Sequence, residues 1–117
     1  MARVLVVGSG GRAASLAREL SARGHAVSET APNLATIVAA LDGVTIACLL
    51  GVEHLETLLA KMIDTTVRGV LYQGEDAIAL RALCSRSHIP HVVLENSPAE
   101  EGVWLASAVA GVEDLLS

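Results

Sequence analysis

Two rhythms of apolar and polar residues take turns along this chain. Arg3–Val7 (RVLVV) is a short apolar, β-branched run that reads as a first strand, broken by Gly8, Gly10 and Gly11. From Arg12 to Arg23 the spacing becomes helical, with Leu16, Ala17 and Leu20 on one side. Gly24 stands where a helix closes in the left-handed conformation. His25–Thr30 reads as a second strand, and Pro32 and Asn33 mark a turn and a cap for a helix over Leu34–Leu41. Asp42-Gly43 turns the chain into Val44–Leu50, a continuous apolar run expected of a strand covered on both faces, and Gly51 closes it. A third helix is predicted over Val52–Ile63, with Leu55, Leu58, Leu59 and Met62 on one face. Arg68–Tyr72 reads as the fourth strand with Gln73-Gly74 as its exit, Glu75–Ser87 as a helix, and Pro90–Leu94 as the fifth strand. Asn96–Pro98 starts a last helix whose Trp104, Leu105, Ala108, Val109, Val112 and Leu115 share one stripe.

Strict alternation of this kind predicts an α/β fold: a three-layer α/β/α sandwich, Rossmann-like, with a five-stranded parallel sheet. No linker or repeat divides the 117 residues, so a single domain is expected. With a glycine turn after the first strand, the expected strand order is 3-2-1-4-5. That order sets a switch point between strands one and four. The loops meeting there would be Gly8–Arg12, Leu50–Val52 and Tyr72–Gly74, with Glu95–Ser97 at the side.

A buried strand that turns through glycines into a helix presents free N–H groups and the positive helix end to an anion. Gly8-Ser9-Gly10-Gly11-Arg12-Ala13-Ala14 fits two phosphate-binding spacings, G-x-G-x-x-A through Gly8, Gly10 and Ala13, and G-x-x-G-x-x-A through Gly8, Gly11 and Ala14. In either, the first glycine makes the turn, the next lets the backbone approach a pyrophosphate, and the small third residue lets helix pack on strand. The candidate cofactor-binding residues are therefore Gly8, Ser9, Gly10, Gly11, Arg12 and Ala13. Glu29 and Thr30, at the end of strand two, are the candidates for the ribose hydroxyls; Leu50, Gly51, Tyr72 and Gln73 border the same edge. Arg12 in the turn would meet a 2′-phosphate and so favour NADP; the plain alternative is a solvated first-turn arginine.

Composition narrows the ligand class. Hydrophobic residues make 52% of the chain and charged residues 18%. So short and apolar a chain is expected to cover part of its surface with a copy of itself, as a homodimer or other homo-oligomer. The net charge of −5 argues against nucleic acid and anionic membrane as partners. Tyr72 and Trp104 are the only aromatic residues apart from histidine, too few for a base-stacking platform. Cys48 and Cys84 lie in separate apolar segments and read as reduced core thiols. Val4–Val7 is too short for a leader and no apolar stretch reaches a membrane span, so a cytoplasmic protein is expected. His25, His54, His88 and His91 have no metal-ligand spacing. Glu53, Glu56, Glu75, Asp76, Glu100 and Glu101 suit helix first turns, although Glu75-Asp76 and Glu95 lie near enough to the carboxyl edge to touch a ligand.

VLVVGSGGRAASLARELSARGHAV resembles the opening strand, glycine turn and helix of the NmrA-like, atypical branch of the short-chain dehydrogenase/reductase superfamily. ALDGVTIACLLG, DTTVRGVLYQG and HIPHVVLENSP resemble its third, fourth and fifth strands, and LLAKMIDTTVRGVLYQG is also similar to a segment of an uncharacterised bacterial family. The resemblance implies an NAD(P)-binding fold. It does not carry over the catalytic pair: that superfamily has lysine four places after its tyrosine, whereas here Tyr72 is followed by Asp76 and the only lysine is Lys61. VLVVGSGGR followed by AP-N also resembles the pre-ATP-grasp domain of glycinamide ribonucleotide synthetase.

The expected function is thus a small NAD(P)-binding protein, a sensor or accessory subunit without the usual reductase catalysis. An oligomeric interaction protein with a cofactor-free fold and an enzyme of another reaction are the alternatives.

Overall fold

The computed structural model describes residues 3–8, 10–52, 55–63, 65–94 and 101–116. Five strands and five helices alternate: β1 Arg3–Val7, α1 Gly11–Ala22, β2 Ala26–Thr30, α2 Leu34–Ala40, β3 Ile46–Leu50, α3 Leu55–Met62, β4 Gly69–Gln73, α4 Ala77–Arg86, β5 His91–Val93 and α5 Glu101–Leu116. All strand pairs are parallel. This is the α/β, three-layer, Rossmann-like sandwich expected.

The strand order is a correction. The sheet runs β2-β1-β3-β4-β5, not 3-2-1-4-5, so β3 lies between β1 and β4 and the edge strand on that side is β2. The cause is burial. Ile46, Ala47, Cys48 and Leu49 of β3 have no exposed surface and need a covered, central place. In β2, Ser28 and Glu29 are exposed, which only an edge tolerates. The chain reverses direction after β2, and the switch point therefore falls between β1 and β3.

The same reversal sorts the helices. Right-handed crossovers that first step outward and then return place α1 on one face and α2, α3 and α4 on the other. Alternation along each strand feeds two separate cores. Val4, Val6, Ile46, Cys48 and Leu71 pack with α1 and α5, through Leu16, Leu20, Trp104, Val109 and Val112. Leu5, Val7, Leu49, Val70 and Tyr72 pack with α2, α3 and α4, through Ile37, Leu58, Met62 and Leu80. Burial pushes the Cys48 thiol up to about 12 and raises that of Cys84, so both stay protonated and inert near neutrality.

Element ends follow local chemistry. Asn33 caps α2 by accepting the Ala35 N–H at 3.0 Å. Gly24 takes φ 93 after α1, as expected. Helix α4 ends in the same hydrogen-bond pattern, but with His88 in the left-handed position at φ 58. Helix α4 starts at Ala77 rather than Glu75, and β4 extends through Gln73, expected as an exit residue. The expected roles of Glu53, His54, Glu95–Ser97, Pro98 and Glu100 lie outside the described residues. Among the described residues no helix is long and apolar enough to cross a membrane.

Candidate functional site

The loops after β1, β3 and β4 meet at the carboxyl edge, where the switch point leaves a crevice. After β1 the chain needs two glycines for two reasons. A Cβ on Gly8 would stand 3.2 Å from Leu50 Cβ and 3.4 Å from Ala13 Cβ, so the bare backbone lets β1, the end of β3 and the first turn of α1 close together. The Gly8 N–H donates to the Thr30 carbonyl at 3.2 Å. Gly10 has open space around it but φ 97, a conformation that side chains disfavour. It is the N-cap of α1 and provides no side-chain cap, and no acidic residue lies in that first turn. The first N–H groups of such a helix have no acceptors within it.

These placements discriminate between the two glycine spacings. Gly8 makes the close approach, Gly10 the left-handed turn, and buried Ala13 the small contact between helix and strand. Gly11 is an exposed first residue of α1, and Ala14 faces the β2 side. The turn falls to Gly10 rather than to Gly8, whose bare backbone instead serves the contact with β3 and α1. Ser9 lies outside the described residues.

The other two loops are tied to each other. Gly51, at φ 68, donates its N–H to the Gln73 carbonyl at 2.7 Å. Tyr72 is buried, and its hydroxyl accepts the Asp76 N–H at 3.0 Å, which holds the turn into α4. Gln73 points to the opposite face, where its Oε1 accepts the Trp104 Nε1–H at 2.8 Å. The Arg12 guanidinium lies over the same indole, 5.0 Å from the ring centroid.

The first turn of α1 and the segments after β2, β3 and β4 line an open cavity of about 560 Å³. That is within the range of small-molecule sites. Of the expected residues, Arg12, Ala13, Leu50, Gly51, Tyr72 and Gln73 line it, joined by Pro32, Val52, Gly74, Glu75 and Asp76. The cavity is electrically two-sided. Arg12 supplies positive charge from the α1 side, while exposed Glu75 and Asp76 supply negative charge where β4 leads into α4. An anionic group suits the first side, and a hydroxyl or amino group that donates hydrogen bonds suits the second.

Gly8, Gly10 and Gly11 are not among the lining residues, and Glu29 and Thr30 are not brought into this cavity. Exposed Glu29 lies beside Ala14, Arg18 and Val27 in a shallow groove between α1 and β2. Thr30 pairs with Val7 in the sheet, and its carbonyl receives the Gly8 N–H. Trp104 and the buried role of Gln73 are what sequence reasoning missed. Trp104 was legible as part of an apolar stripe, but nothing in its spacing points to residues at the other end of the chain.

No protein-family model matches the chain, and no curated protein is significantly similar to it.

Proposed function

We propose that this protein binds a phosphate-bearing nucleotide at the switch-point cavity, with NAD and NADP the first candidates. It would act as a sensor or accessory subunit rather than as a reductase of the usual kind. One observation carries the reading: the first turn of α1, which follows the left-handed Gly10, lines the cavity through Arg12 and Ala13. The carboxylates across the cavity suit ribose hydroxyls, which supports a nucleotide over a bare anion. The missing Tyr–Lys pair supports a non-reductase role. Tyr72, the only tyrosine, is buried with its hydroxyl engaged by the backbone of Asp76, and Lys61 is exposed on α3.

The position of Arg12 revises its expected task. Its guanidinium lies over Trp104 of α5, and α5 packs on β3, β4 and β5, away from the β2 edge where a 2′-phosphate would sit. Arg12 therefore suits a phosphate shared by NAD and NADP. Calorimetric titration with NAD, NADH, NADP and NADPH tests both points. We expect binding below millimolar, and Arg12→Ala to weaken NAD and NADP alike. Loss confined to NADP would restore the 2′-phosphate role, and no binding of any of the four would overturn the reading.

One observation favours a second reading, association with a copy of itself: Ile78 of α4 is 86% exposed and Val103 of α5 59%. Light scattering is expected to show a dimer, and a monomer at high concentration would remove this reading.

A further inference from the structure

The cavity explains Arg12, but it does not by itself explain why a tryptophan and a glutamine are buried behind it. Gln73 is 7% exposed and Trp104 4%, and packing alone at these positions would favour plain hydrocarbon side chains. Instead a buried amide and a buried indole satisfy each other across 31 residues, at 2.8 Å. Such a pair specifies one orientation of the ring, because any rotation strands both polar groups. The Gln73 backbone is fixed in turn by the sheet and by the Gly51 N–H at 2.7 Å. The indole plane is therefore tied to the same strand ends that form the cavity, and the guanidinium of Arg12 lies over its face, 5.0 Å from the ring centroid.

Resting on the nucleotide reading above, we infer that Trp104 is a positioning residue. Gln73 orients the indole, and the indole face holds the Arg12 guanidinium toward the cavity to receive a phosphate group of the ligand. An arginine side chain otherwise loses much rotamer freedom when it engages an anion. Stacking on an aromatic face removes part of that loss before the ligand arrives, and a guanidinium has five N–H donors, enough to serve a phosphate besides another partner. The ligand feature recognised is a phosphate or pyrophosphate, the part that NAD, NADP and inorganic pyrophosphate have in common.

A double-mutant cycle on the full chain tests this, with inorganic pyrophosphate and NAD as the probes in calorimetry. Gln73→Met keeps the volume and the tryptophan but removes the acceptor; Trp104→Phe keeps a ring but removes the N–H. Arg12→Ala is expected to raise both dissociation constants at least about 10-fold, and Gln73→Met and Trp104→Phe each about 3–10-fold. In the Arg12→Ala background the same two changes are expected to cost less than about 2-fold, because nothing remains for them to position. Trp104 is the single tryptophan, so its emission reports the stack without any ligand, and Arg12→Ala is expected to alter it. If Trp104→Phe fails to fold, Gln73→Met alone completes the cycle. Binding with additive losses, or emission unchanged by Arg12→Ala, would overturn the positioning role and leave the nucleotide reading standing. No binding of either probe by the wild-type protein would overturn both.

Discussion

Adjacent residues of β4 finish the two faces of the sheet in opposite ways. Tyr72, on the α2–α4 face, is satisfied locally: its hydroxyl accepts the N–H of Asp76, only four residues on. Gln73, on the α1/α5 face, is satisfied by Trp104 from the last helix, which also carries Arg12 from the first. The first arrangement shapes a loop and would survive in many sequence contexts. The second joins three distant segments behind the cavity and depends on all of them. A polar group buried at a strand end is thus satisfied either by the turn that follows it or by a distant helix, according to which face it points to.

The largest test of this contrast is Trp104→Ala. It removes a large buried side chain and strands the Gln73 amide, so a loss of about 3–5 kcal/mol is expected from denaturant unfolding. A loss below about 1 kcal/mol would show that the α1/α5 face does not depend on the indole.

Stability at alkaline pH separates the faces next. Cys48 belongs to the α1/α5 core and Cys84 to the other. The folded Cys48 thiol stays protonated up to about 12, whereas the unfolded thiol ionises from 9.0. Between those values the unfolded state has lost its proton and the folded state has not. Stability is therefore fully present below about pH 9 and falls above it by about 1.4 kcal/mol per pH unit for this group. Cys48→Ala is expected to flatten that decline, measured by urea unfolding from pH 8 to 11; an unchanged slope would exclude Cys48 as its source.

Tyr72→Phe addresses the local side of the contrast and is expected to cost about 1–2 kcal/mol, by leaving the Asp76 N–H without its acceptor. Hydrogen exchange should quicken at Asp76 while Trp104 emission stays constant. An emission change would mean that the two faces are coupled after all.

The smallest effect concerns how a helix on each face ends. Helices α1 and α4 close with the same hydrogen-bond pattern, but α1 uses Gly24 at φ 93 and α4 uses His88 at φ 58. His88→Gly is expected to stabilise the protein by about 0.5–1 kcal/mol, as a rise in thermal midpoint. A fall would indicate that the imidazole itself contributes to the α4 terminus.

Much of this architecture is legible in the residues. Short apolar runs and helical spacing locate all ten elements, and Gly8, Gly10 and Ala13 announce the turn because close approach and positive φ are local steric demands. Element ends were harder. Gln73 joins β4 and Glu75 stays outside α4, where the Tyr72 hydroxyl accepts the Asp76 N–H and holds the intervening turn. Even the strand order left a trace: Ser28 and Glu29 mark β2 as an edge, and the unbroken apolar Ile46–Leu49 marks β3 as central.

What the sequence determined by itself is therefore the alternation of strand and helix, the parallel sheet and the glycine junction, all set by spacing and by backbone sterics within a few residues. Which strands are neighbours, where the switch point falls, and that Arg12, Gln73 and Trp104 converge were decided only by the tertiary structure. These depend on which surfaces are buried against which, a condition imposed by the whole chain at once. The glycine turn sets where α1 begins, and the packing of the last helix against the first brings Trp104 to Arg12.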